Sequence, residues 1–163
     1  MTRTEIEAEL EGQHAAGFAW ALSCCGRRRE EAEDVLQAAY LKILDGRASF
    51  ESRSSFRTFL FAVIRRTAAE ERRRTAVSRL LFGSGREEEA AAAGESEPAG
   101  RIAVRAALVR LSRRQREVLE LVFAMGMTVR EAADTLSIST GSARVHYDRG
   151  KKRLAALLAR KTS

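Results

Sequence analysis

Residues 112–154 read SRRQREVLELVFAMGMTVREAADTLSISTGSARVHYDRGKKRL. Two helix starts are written into this stretch. Ser112 with Gln115, and Thr128 with Glu131, fit the pattern in which a hydroxyl caps a helix and the third helical residue bonds back. The spacing predicts a helix over 113–124 that ends near Met125-Gly126, and a second over about 129–136. That one stops at Ser137-Ile138-Ser139, where Ser139 caps a third. A short helix, a three-residue turn and a longer basic helix make a helix-turn-helix.

The third helix can be mapped at about 100° per residue. Ala143, Tyr147, Gly150 and Leu154 fall on one narrow face, extended by Leu157 and Leu158, and are expected to pack on the rest of the domain. The opposite face holds Gly141, Val145, Asp148 and Lys152, flanked by Arg144 and Arg149. Small residues at the start let a helix tip enter a major groove closely. Arg can pair with guanine, Val can touch a thymine methyl, and Asp can accept from cytosine N4. The basic tail suits phosphates beside the groove. Thr140, Ser142, Arg144, Val145, Asp148, Arg149 and Lys152 are therefore the candidate duplex-reading residues. A generic charged face is the alternative, and the preceding turn weighs against it.

Upstream, GSGREEEAAAAGESEPAG (83–100) lacks apolar periodicity and carries the only Pro. It reads as a flexible acidic linker between residues 1–82 and 101–163. Three helical patterns precede it. Ala15, Phe18, Ala19 and Leu22 share the face of the first. Ala32, Val35, Leu36, Ala39, Ile43 and Leu44 mark the second, with acids at its start where the helix dipole favours them and Asp45-Gly46 at its end. Phe56, Phe59, Leu60, Val63, Ile64 and Thr67 mark the third. Phe61 lies off that stripe, and Phe50 sits in the loop RASFESRSS before it. Around both run Arg47, Arg53, Arg57, Arg65, Arg66 and Arg72 to Arg74. Aromatics interleaved with arginines can stack on unpaired bases while guanidinium groups hold phosphates. Exposed aromatics equally serve ordinary protein interfaces.

Composition sets the frame. With 163 residues, the chain holds one ordinary domain or two small ones. Scarce Pro with abundant Ala, Leu, Arg and Glu predicts an all-α fold, here a bundle of three to four helices followed by the helix-turn-helix domain. Net charge is −4 over residues 1–45, +6 over 46–82, −4 over 83–100 and +9 over 101–163. Two basic blocks fit two contacts with a polyanion, or a pair of solvated Arg-rich faces.

Adjacent Cys24 and Cys25 cannot staple distant segments, and His14 and His146 lack metal-ligand spacing, so no metal or cofactor is expected. The sequence holds no Gly-rich phosphate loop and no nucleophile motif, which argues against an enzyme. The polar start, and the lack of an apolar run near the roughly 20 residues that span a bilayer, predict a cytoplasmic protein without membrane insertion. The chain closes with ARKTS soon after the last helix, so no further C-terminal sensory domain is expected.

Taken in order, the two halves resemble the extracytoplasmic-function branch of bacterial RNA polymerase sigma factors. EEAEDVLQAAYLKIL (30–44) resembles the acidic-start helix of their region 2, FESRSSFRTFLFAVIRRTAAEE (50–71) its Ser-rich loop and basic aromatic helix, and 111–154 the helix-turn-helix of region 4. The resemblance implies that Glu33, Asp34, Gln37 and Tyr40 dock on the coiled-coil clamp of core RNA polymerase. It implies that Phe50, Ser54, Ser55, Arg57, Phe61, Arg65 and Arg66 capture the opened −10 strand of promoter DNA, while the last helix reads the −35 duplex. It also implies an anti-sigma partner. Phe59 stands where the family usually has Trp, Arg66 where Asn is common, and Ala38 where Glu usually follows the Gln. A stand-alone helix-turn-helix regulator of duplex operators is the alternative. Its receiver domain would alternate strands and helices, and residues 1–82 show no strand pattern.

Overall fold

Four helices build the first half of the chain, and each can be traced to a local cause. The structure is a computed structural model that describes residues 1–83 and 98–161. The chain divides into two compact units, residues 1–91 and 92–163. The expected linker therefore falls mostly outside the described residues. Its last two residues, Ala99 and Gly100, already belong to a helix.

In the first unit, α1 (Arg3–Gly12) starts on Thr2, whose side chain accepts from the Glu5 amide while the Glu5 carboxylate accepts from the Thr2 amide. The sequence reading missed this helix, because Leu10 is its single buried residue. α2 (His14–Cys24) turns Gly17, Trp20 and Ala21 inward rather than the expected face, so Ala15 is exposed and Phe18, Ala19 and Leu22 are half-buried. Gly17 faces the side chains of Leu36, Leu60 and Ile64. A methyl group there would already touch Leu36 at 3.4 Å and Ile64 at 3.5 Å.

α3 (Arg29–Leu44) begins with Glu30 and Glu31 against its dipole and buries Ala32, Val35, Leu36, Ala39 and Ile43. α4 (Phe56–Phe82) starts on Ser55, whose hydroxyl accepts from the Thr58 amide at 3.1 Å. It packs against both α2 and α3. It buries Phe56, Thr58, Leu60, Phe61, Val63, Ile64, Thr67 and Ala68, a wider face than one stripe. Lys42 ties α3 to α4 by donating to Thr67 Oγ1 and pairing with Glu70. Arg72 ties α4 to α2 by donating to the Cys24 carbonyl at 2.9 Å.

The second unit opens with α5 (Ala99–Val109), which sequence reading also missed. α6 (Arg113–Leu119) carries the Ser112–Gln115 capping box and runs on as a π-helical turn over Glu120–Ala124. α7 (Val129–Leu136) carries the Thr128–Glu131 box. It stops at Ser137, which takes a left-handed φ of 55° so that Ile138 N–H can reach back to the Ala133 carbonyl. α8 (Thr140–Lys161) follows, with the Ser142 amide donating to Ser139 Oγ at 3.0 Å. α5, α6 and α7 all pack on α8. Their core is Ala107, Leu111, Val118, Leu119, Leu121, Met127, Ala132, Ala133, Leu136 and Ala143. Among the described residues every regular element is helical and there is no strand.

Candidate protein- and DNA-binding surfaces

The exposed face of α3 is largely acidic and polar because Ala32, Val35, Leu36, Ala39 and Ile43 point the other way, although Leu41 is 54% exposed beside it. Glu33, Asp34 and Gln37 are exposed and Tyr40 is half-buried. Glu33 accepts from Arg29 Nε at 3.0 Å, one helical turn back. Tyr40 is held from behind: its hydroxyl donates to the Leu10 carbonyl at 3.4 Å and lies 3.1 Å from His14 Nδ1. Partial burial raises the Tyr40 phenol above its usual pKa, so it stays a neutral donor.

Beside Asp34 lies a cleft of about 310 Å³ lined by Glu33, Gln37 and Tyr40 together with His14, Phe18, Arg29 and Leu36. The Arg29 guanidinium sits 5.4 Å from the Phe18 ring centre. Sequence reading placed Phe18 in the core and named neither His14 nor Arg29 at this surface. Their place follows from the pairing of α2 with α3, which no local pattern states. The arrangement offers an apolar slot with an acidic border, suited to a protein side chain.

The loop before α4 is pinned at both ends. Phe50 packs edge-on against Phe56 at 5.5 Å and tilted against Phe59 at 5.4 Å, while Phe56 and Phe59 lie 5.8 Å apart. Phe50 and Phe59 keep partly open edges above buried Phe56. Ser55 has a structural task as the helix cap, and it also donates to Thr58 Oγ1 at 3.0 Å. Ser54 donates to the Ser55 carbonyl at 3.3 Å. Ser52 takes a φ of 56°, and Arg53 pairs with Glu51.

One candidate is overturned here. Phe61 is fully buried and stacks on Trp20 with ring centres 6.0 Å apart and planes 9° from parallel. The Trp20 indole N–H donates to the Phe61 carbonyl at 3.0 Å. No base can reach that ring in this fold. The reason is the double packing of α4, which buries a residue that a one-sided stripe leaves outside. Arg57 lies over the Phe61 ring at 5.2 Å and is half-buried, as is Arg65, whereas Arg66 is exposed. The open edges of Phe50 and Phe59 leave these as the aromatics that a base could meet.

On α8 the split is clean. Thr140, Ser142, Arg144, Val145, Asp148, Arg149 and Lys152 are all exposed. Of the expected packing face only Ala143 and Gly150 are buried, while Tyr147, Leu154, Leu157 and Leu158 are half-buried. Gly150 is needed there: a methyl group would lie 3.2 Å from Leu119 Cδ1 and 3.3 Å from Gln115 Cβ. Glu117, on α6, is buried with Arg114 Nη1 at 3.4 Å, which balances its charge. To one side of the outer face, Phe123 stacks on Tyr147 at 5.9 Å and Lys151 covers the same ring at 4.9 Å.

Neither Cys24 nor Cys25 forms a disulfide. Burial pushes the Cys25 thiol up to about 11. Among the described residues no three His, Cys, Asp or Glu side chains are grouped to hold a metal ion, and no helix is long and apolar enough to cross a membrane.

Comparison with known proteins adds independent findings. The family model for sigma-70 region 2 matches residues 12–77, and that for sigma-70 region 4 matches residues 101–154. Among solved structures, the chain resembles the sigma factor RpoE crystallised with the anti-sigma factor NepR from Bartonella quintana. The two are 26% identical with a TM-score of 0.76, covering 95% of this chain and 97% of that one. It also shares its fold with CnrH in complex with the cytosolic domain of CnrY, at 24% identity and a TM-score of 0.65, covering 93% of this chain and 86% of that one. No curated protein sequence matches the chain.

Proposed function

The chain belongs to the sigma-70 family as an alternative sigma factor of the extracytoplasmic-function branch, and on that premise we propose how it divides the work of promoter recognition. Glu33, Asp34, Gln37 and Tyr40 on α3 dock the first domain, residues 1–82, on core RNA polymerase, with the neighbouring cleft taking an apolar side chain of the clamp. Phe50, Ser54, Arg57, Arg65 and Arg66 meet the opened −10 strand, and Ser55 contributes by fixing the start of α4. The second domain, residues 101–163, lays the outer face of α8 in the major groove of the −35 duplex. Arg144, Val145, Asp148 and Arg149 read base edges there, and Thr140, Ser142 and Lys152 hold phosphates.

The observation that carries this reading is the division of α8. Every candidate reading residue is exposed, while the helix is locked to its domain through Ala143 and Gly150. The acidic α3 surface repels DNA and suits a protein partner, so recognition is split between polymerase and promoter. Two weak readers on one tether gain affinity together through effective concentration. The protein acts by binding, without a chemical step of its own, and works in the cytoplasm. A protein inhibitor of the anti-sigma type is a further proposed partner, supported by the chain's likeness to RpoE, which was crystallised with the anti-sigma factor NepR.

Pull-down with purified core polymerase, then run-off transcription on genomic DNA, tests the proposal. Retention on core and new discrete transcripts support it; a chain that ignores core defeats it.

A further inference from the structure

The last buried residue of α4 is Ala68, yet the helix continues to Phe82. Those 14 residues extend it by about 21 Å at 1.5 Å per residue. Along this tail Val77 is 53% exposed, Leu80 86%, Leu81 71% and Phe82 78%. Large apolar side chains clustered in solvent mark a contact surface. Glu70 and Arg72 still tie its first turn to Lys42 and to the Cys24 carbonyl, and the helical end beyond them, with no buried residue, is only marginally stable by itself.

We infer that the tail of α4 is a docking strip for an acidic amphipathic helix of a protein partner, distinct from the three surfaces assigned above. Val77, Leu80 and Leu81 follow the i, i+3, i+4 spacing by which one helix seats on another. The 14 residues 69–82 hold four arginines against Glu70 and Glu71, a net +2, with Arg74 pairing with Glu71 at 3.3 Å. Exposed Arg73 and Arg74 lie one turn before Val77. A partner strip edged by Glu or Asp complements that pattern, and one edged by Lys or Arg meets repulsion.

Charge disfavours a second copy of this tail, since pairing would set like arginines against each other. Geometry disfavours a bilayer. Leu80 and Phe82 are two residues apart and so point to opposite sides of the helix. A flat surface meets one of them, whereas a protein helix with its flanking chain can wrap the tip and cover both.

The test uses the full chain and two labelled 20-residue synthetic helices. One carries a leucine stripe bordered by Glu, and its twin has Lys at every Glu. Fluorescence polarisation at physiological salt should show the Glu peptide binding at least tenfold tighter than the Lys twin. The double substitution L80Q/L81Q should weaken the Glu peptide at least tenfold, with helix content and thermal midpoint unchanged because both positions lie in solvent. R73Q/R74Q should narrow the gap between the two peptides.

The inference is overturned if the Glu peptide does not bind, if both peptides bind alike, or if L80Q/L81Q binds as wild type. It is also overturned by either competing occupant. In one case the wild-type chain sediments as a dimer that L80Q/L81Q dissociates. In the other it floats with phosphatidylglycerol vesicles and L80Q/L81Q does not.

Discussion

Phe61 shows why a residue's role depends on what packs beside it. At about 100° per residue it sits at the edge of the α4 stripe, and an edge aromatic among arginines looks like a base-stacking platform. α2 brings Trp20 over that edge and closes it. The only Trp of the chain was the missed signal, since so large a side chain needs an apolar partner. Phe61→Ala should therefore cost about 3–5 kcal/mol of stability in urea unfolding monitored by Trp20 fluorescence, as a buried aromatic truncation does. A loss below about 1 kcal/mol would show that the ring is not in the core.

Cys25 gives a second test at the same scale. Burial raises its pKa from the ordinary 9.0 to about 11, so the fold favours the neutral thiol. That contribution is complete below about pH 9 and is lost as the pH climbs through 11. The thermal midpoint should fall across this window, less steeply in Cys25→Ala. At pH 8, iodoacetamide should label half-exposed Cys24 first. Faster labelling of Cys25 would contradict the burial.

Elements were legible in proportion to the caps and stripes they carry. The boxes at Ser112 and Thr128, and the cap at Ser139, set the starts of α6, α7 and α8 within the sequence itself. The split of α8 between its buried and exposed faces followed from periodicity. α1 and α5 went unread because each buries a single residue. The inward face of α2 was misplaced because one of its buried positions, Gly17, has no side chain to signal it. The slot beside Tyr40 was also hidden, since it exists only once α2 lies along α3.

Two predictions belong here. Gly150→Leu forces a side chain into Leu119 and should destabilise the second unit by about 1–3 kcal/mol, measured by thermal melting of residues 101–163 within the full chain. Arg149→Ala should leave that melting unchanged while weakening −35 duplex binding by about 10–100-fold, the loss expected of one base-reading pair. Equal effects of both on melting would mean that the outer face of α8 is structural.

At the scale of the molecule, charge is segregated: an acidic α3 face belongs to one domain, and basic faces to both. Under the proposed function, this partition is what makes a protein so basic as a whole depend on polymerase to find DNA. Binding of the isolated chain to duplex should be weak and steeply salt-dependent, because phosphate contacts dominate it. Lys152→Ala should lower the salt slope of promoter binding by polymerase carrying the chain by about one, across sequences. The most direct test of the central claim is run-off transcription by core polymerase on genomic DNA, with and without the chain. Discrete new 5′ ends should appear with the chain, and not with core alone or with a Glu33→Ala, Asp34→Ala double variant. If no transcript depended on the chain while the purified protein held a duplex operator tightly by itself, the account would be contradicted.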